Sequence, residues 1–348
     1  MPSGNSRDVQ DVQDVQDGRA GLDRVRGAFA GLAAGDAAGW PAARHRSTLL
    51  AGWSRRLRRE LDMFAEEHQV TTLPVPFALN QQVAPLAFGP SDDAEWLAWT
   101  ALTIREDRAE AFGRLAGRGD VRARISVWAA IDNLAAGKRP PASGHDNPHH
   151  FDDAAAVRAV AFGAAGLDPL EDACVTNAED GVLGAVATAR AVAALTDGAP
   201  MAEAVEAALG ALPDDTAIGH AARAALRAAR AAGSPFAAVP ALDAAVLDHV
   251  YSYGVAAAQT VPIALALADA AVSSFGQASE AFGAGVSAAA CLAPVADSAP
   301  ALTGALLGCA AGHDALPAAW RERVRTLAGC CLPELAGTDL LDIAGRLV

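Results

Sequence analysis

The stretch Arg26-Gly27-Ala28-Phe29-Ala30-Gly31-Leu32-Ala33-Ala34-Gly35-Asp36-Ala37-Ala38-Gly39-Trp40-Pro41 decides the architecture. Apolar residues recur at helical spacing from Leu22 through Val25, Ala28, Phe29 and Leu32, while the small residues Gly27, Gly31 and Gly35 lie along one side. Glycines four apart share a helix face and carry no side chain to hold a neighbour away. The spacing therefore predicts a helix that sits very close to a partner.

The rest of the chain has the same character. Of 348 residues 52% are hydrophobic, which is ample for a buried core, but aromatics make up only 5%. Alanine dominates, favouring thin, close-packed helices over sheets, which draw on aromatic and β-branched residues. Helical segments are expected at about 152–165, 178–195, 200–211, 215–232, 241–250, 254–271, 277–291, 297–311 and 317–331, separated by short turn signals. They have no fixed period and no long linker, so one compact all-α domain over 21–348 is expected rather than a solenoid or two domains. Residues 1–20, polar and acidic with a repeated Asp-Val-Gln, read as a disordered tail. Four prolines between Thr71 and Pro90 make that stretch a loop, and residues 138–151 are a second irregular segment.

A formal charge of −14 argues against binding nucleic acid or an anionic membrane, both of which reward clustered cations. The one basic run, Arg55-Arg56 with Arg58-Arg59, reads as a solvated helix face answered by Glu60, Asp62, Glu66 and Glu67. Five cysteines without CxxC spacing, no apolar leader and no uninterrupted membrane-length apolar run point to a cytoplasmic protein.

Chemistry concentrates at helix starts. Ser91-Asp92-Asp93 follows the proline-rich loop and opens an apolar helix, with Ser91 suited to capping and both acids near the positive end of the helix dipole. Asp297-Ser298 is a similar start. Each alone is ordinary helix chemistry, but together they offer hard oxygens suited to Mg²⁺ or Mn²⁺. Between them the loop His145-Asp146-Asn147-Pro148-His149-His150-Phe151-Asp152-Asp153 is dense in imidazoles and carboxylates. Its histidines are either solvated or substrate-facing, and zinc on His145, His149 and His150 is a weaker alternative. Asp36, in a small-residue helix, needs a polar partner, either a ligand hydroxyl or a backbone group. Tyr251 and Tyr253 would stack on a flat ligand or pack in the core, and Trp96 and Trp99 read as core.

In their order these pieces resemble the ADP-ribosylglycohydrolase family. The segment from Arg26 to Pro41 is similar to its opening RGxxxGxxxGDAxGxP helix, and Ser91-Asp92-Asp93 to its Thr-Asp-Asp. Asp152-Asp153 leading to Val157-Arg158 stands at its Gly-Asn-Gly to Met-Arg segment, and Thr176-Asn177 at its Thr-His. Gln259-Thr260-Val261-Pro262 resembles its Glu-Thr-hydrophobic-Pro. Asp297-Ser298 before Gly304 to Gly308 takes the place of its last Asp-Thr-Asp-Thr, and Pro317 with Trp320 matches the closing Pro-x-x-Trp.

The resemblance, over roughly residues 22–330, implies a compact multi-helix orthogonal bundle with a metal cleft and hydrolysis at the anomeric carbon of ADP-ribose. The substrate would be an ADP-ribosylated protein or a small ADP-ribose-containing molecule. Metal ligands would be Ser91, Asp92, Asp93, Asp297 and Ser298, with Asp93 as general base beside Asp92. Asp36, His150, Asp152, Asp153, Tyr251 and Tyr253 would contact substrate. Ala43 and Val295 stand where the family carries acids, so one Mg²⁺ or Mn²⁺ is expected rather than two. The alternative is a non-catalytic ADP-ribose-binding regulatory protein.

Overall fold

The computed structural model describes residues 5–39, 89–248 and 255–347. Ala43, Tyr251, Tyr253 and most of the Thr71–Pro90 loop lie outside the described residues. Those described form sixteen α-helices and no strand. They are α1 Asn5–Ala38, α2 Asp92–Thr103, α3 Arg108–Gly113, α4 Ile125–Ala135, α5 Ala142–His145, α6 Ala154–Ala164, α7 Leu170–Thr176 and α8 Asp180–Thr196. Then follow α9 Met201–Leu209, α10 Ala217–Ala232, α11 Pro235–Val246, α12 Ala257–Ser274, α13 Ala278–Ala290, α14 Ala299–Ala311, α15 Ala318–Val324 and α16 Leu340–Ala344.

The partner of the glycine face is α14. An added Cβ at Gly27 would lie 2.1 Å from the Gly308 carbonyl oxygen, one at Gly31 2.1 Å from that of Gly304, and one at Gly35 1.9 Å from that of Pro300. The two backbones touch along three turns, which only hydrogen side chains permit. This contact brings the end of α1, with Asp36, to the start of α14, with Asp297 and Ser298.

Helix α12 is apolar and long enough to cross a membrane, yet 72% of it is buried inside the protein. It is a core helix, packed against α8, α10, α13 and α14.

Four expectations change. Helix α1 starts at Asn5 and takes in the stretch read as a tail. Once packing fixes its later turns, each further residue gains a backbone hydrogen bond without a new nucleus. Helix α11 starts at Pro235 instead of 241, because Ser234 accepts from the Ala237 N–H and Pro235 occupies the first turn. Helix α15 stops at Val324 instead of running to 331. Beyond it Gly329 takes φ +71, and the N–H groups of Cys330, Cys331 and Leu332 donate to the buried Glu95 carboxylate at 2.8, 2.7 and 2.9 Å. Finally, α3, α4, α5, α7 and α16 fall where no helix is expected.

Candidate functional site

Asp36 takes the capping role expected of Ser91. Its Oδ2 accepts from the N–H groups of Ser91 (2.6 Å) and Ala94 (3.1 Å), and its Oδ1 accepts from the Ser91 hydroxyl (2.6 Å). At 1% exposure it ties α1 to α2, the backbone-satisfying role of the two expected for it. Ser91 itself makes no side-chain cap bond; its hydroxyl is also 3.2 Å from Asp92 Oδ1.

Three helix starts then converge on one centre, and an arginine occupies it. Arg124, the residue before α4, donates from Nη1 to Asp153 Oδ1 at 2.5 Å. Its Nη2 donates to Asp93 Oδ1 at 3.1 Å and to the Ser298 hydroxyl at 2.5 Å, and lies 3.3 Å from Asp297 Oδ2. Asp93 and Asp297, 204 positions apart by their numbers, thus share a single nitrogen. The expected convergence of α2 with α14 is present, with a guanidinium at its middle.

Asp152 and Asp153 are held by a short antiparallel bridge to the chain before α12: Asp153 N–H donates to Val255 (2.8 Å) and Ala257 N–H to Phe151 (3.0 Å). Asp152 Oδ1 accepts from Asn177 Nδ2 at 2.8 Å and from the Ala154 N–H at 3.1 Å. Asn177 also ends a buried relay. Arg108 and Arg158 both grip Asp172, at 2.8 Å each, Arg158 Nη2 donates to Thr176, and the Thr176 hydroxyl donates to Asn177 Oδ1. Thr176 and Asn177 are therefore site-supporting residues, and Asp172, which the sequence reading passed over, anchors them.

Charge is unbalanced here. Asp92, Asp93, Asp152 and Asp153 are all at most 5% exposed, and Arg124 is the cation in contact with Asp93, Asp153 and Asp297. Burial pushes the Asp93 carboxyl well up, with Asp92, Asp36 and Asp297 adding to the rise and Arg124 opposing it. Burial likewise raises Asp153 to about 7, against the pull of Arg124. For Arg124 burial works against the charge, but Asp153, Asp297, Asp93 and Asp92 outweigh it and raise the guanidinium well above its ordinary value.

The donor set does not fit a divalent ion as it stands. Mg²⁺ needs oxygens at about 2.0–2.1 Å in an octahedron, and the Asp93, Asp297 and Ser298 oxygens face Arg124 Nη2 instead. Val295, at an expected acid position, is a fully buried apolar residue. Among the described residues, groups of three metal-ligating side chains with atoms within 4.8 Å of one another are Glu95 with Cys330 and Cys331, and Asp23 with His313 and Asp314. Neither includes the expected ligands, nor His145, His149 and His150. Asp93, the expected general base, is 3% exposed, and its Oδ1 accepts from Arg124.

Of the expected substrate contacts, His150 stands at a rim. Its Nδ1 is 3.0 Å from the Asn147 carbonyl and its Nε2 3.5 Å from Glu179, which holds φ +48. Glu179, Asn177, His145, Pro141, Val182 and Leu183 line an apolar groove of about 620 Å³. Asn177 thus links this groove to Asp152 and the acid cluster.

A family profile described as ADP-ribosylglycohydrolase matches residues 17–348. No curated protein matches the chain. Among solved structures, one described as an "ADP-ribosylglycohydrolase-related protein complex" is similar at a TM-score of 0.56 and 18% identity, covering 94% of this chain and 98% of that one. At that identity the likeness speaks for the fold, and the profile speaks for descent: the chain belongs to the ADP-ribosylglycohydrolase family.

Proposed function

We propose that this protein binds the ADP-ribosyl group of a modified protein or small molecule without hydrolysing it at a metal centre. Family membership suggests a hydrolase of ADP-ribosyl bonds, acting on ADP-ribosylated molecules. The observation behind the narrower reading is Arg124, whose guanidinium takes the oxygens of Asp93, Asp297 and Ser298 that an ion would need. The open face of the cluster is Asp297, at 18% side-chain exposure, with the edge of Arg124 at 10%. Ribose hydroxyls would donate to that carboxylate, and the groove beside Asn177 has the volume and apolar lining that suit a nucleoside.

A second reading keeps hydrolysis, with one Mg²⁺ or Mn²⁺ on Ser91, Asp92, Asp93, Asp297 and Ser298. It draws on Asp93 Oδ2, which is buried with no hydrogen-bond partner. Calorimetric titration with ADP-ribose, with magnesium and with chelator, separates the two when paired with an assay for ADP-ribose release from ADP-ribosylated arginine. Saturable binding that ignores the chelator, without release, is the expected result. Magnesium-dependent release would establish the second reading, and no binding at all would reject both.

A further inference from the structure

We propose that Arg124 is a built-in cation, occupying a carboxylate nest that would take a divalent metal ion if the guanidinium were removed. Asp93, Asp153, Asp297 and Ser298 approach it from α2, α6 and α14, at 3.1, 2.5, 3.3 and 2.5 Å. Acids packed this closely out of water either keep their protons or share a positive charge, and Arg124 places that charge against three of them. A planar guanidinium answers this in a way an ammonium would not, since its two terminal nitrogens reach different carboxylates at once.

The direction from which it enters matters. Arg124 sits at the start of α4, where the helix dipole disfavours a cation, so its own helix does not account for the charge being there. The acids of three other elements do. Unused acceptors remain around it: Asp93 Oδ2 and Asp152 Oδ2 are buried without hydrogen-bond partners. They lie on carboxylates already directed at, or adjoining, the guanidinium's partners, and are available to an ion once the nitrogens are gone. Arginine and ion exclude each other because both need Asp93 and Asp297, and because two cations in one desolvated nest repel.

The claim concerns the cation alone and stands or falls separately from ADP-ribosyl binding. Its test is titration with Mn²⁺, read by the loss of the free-ion electron paramagnetic resonance signal, on wild type, Arg124→Ala and Arg124→Gln. Wild type is expected to bind no stoichiometric Mn²⁺. At least one variant is expected to bind one ion at least about tenfold more tightly than wild type, as fits an oxygen cage freed of a competing charge. Adding Asp297→Asn to that variant is expected to remove the binding. Arg124→Gln keeps most of the side-chain volume, so it serves where Arg124→Ala fails to fold; if neither folds, recovery of the folded circular dichroism signal on adding Mn²⁺ is the expected result. Stoichiometric Mn²⁺ on wild type, lost in Asp93→Asn, would overturn the proposal. So would folded variants that bind no better than wild type, or unfolded ones that Mn²⁺ does not restore.

Discussion

Arg124 and Asp172 are mirror images a short distance apart in the network: one cation among acids, and one acid between cations. Asp172 lies between Arg108 and Arg158, with all three side chains at most 4% exposed. Removing it leaves two buried guanidiniums without their carboxylate, and breaking such pairs costs about 3–5 kcal/mol. Asp172→Ala is therefore expected to lose stability of that order in urea denaturation, and to loosen Asn177 through Thr176. Asp153 gives a pH signature. Burial lifts its carboxyl from an ordinary 3.8 to about 7. Below the lower value both folded and unfolded chains are protonated and the group contributes nothing. Between the two values the folded protein keeps a proton that the unfolded chain has released, so rising pH erodes stability until the folded group ionises. The melting temperature is expected to be higher near about pH 5.5 than near about pH 8, and Asp153→Asn is expected to flatten that slope. A wild-type melting temperature that climbs across this window would contradict the assignment.

At the scale of elements, the α1–α14 contact is the firmest part of the fold, and it was readable in advance. Gly27, Gly31 and Gly35 announced a close neighbour, although the sequence did not say that Gly304 and Gly308 would answer them. Gly31→Ala would force a Cβ to 2.1 Å from a backbone carbonyl, which cannot swing aside. Overpacking of this kind is expected to cost about 3 kcal/mol or more. Gly18→Ala, in the same helix with nothing within 4 Å, is expected to be neutral or to add up to about 1 kcal/mol. Equal effects in thermal melts would refute the packing argument. Some of the unexpected helices are simply very short. Helix α3 has only six residues, and α7 only seven, too short to display a period. At Ser234-Pro235 the same residues serve a turn and a helix start, which is why α11 begins ahead of the expected 241.

For the whole molecule, the sequence carried the fold class, the order of motifs and the meeting of Asp93 with Asp297. It did not carry the charge at their centre. Arg124 stands in an ordinary stretch, Arg122-Ala123-Arg124-Ile125, and only the tertiary arrangement sets it among acids from α2, α6 and α14. Its one local sign is a cation just before a helix, against the dipole. Asp36 was legible as a special acid but not as the cap of a helix 55 residues away. If the resident cation is Arg124, adding Mg²⁺ or chelator is expected to leave the wild-type melting temperature unchanged, since nothing binds the folded state preferentially.

The most direct test is a crystal structure of the wild-type protein grown with Mn²⁺ and recorded at the manganese absorption edge. The guanidinium of Arg124 is expected between Asp93, Asp153 and Asp297, with no anomalous peak among them. An anomalous peak within coordination distance of Asp93 and Asp297, with Arg124 turned away, would contradict the account.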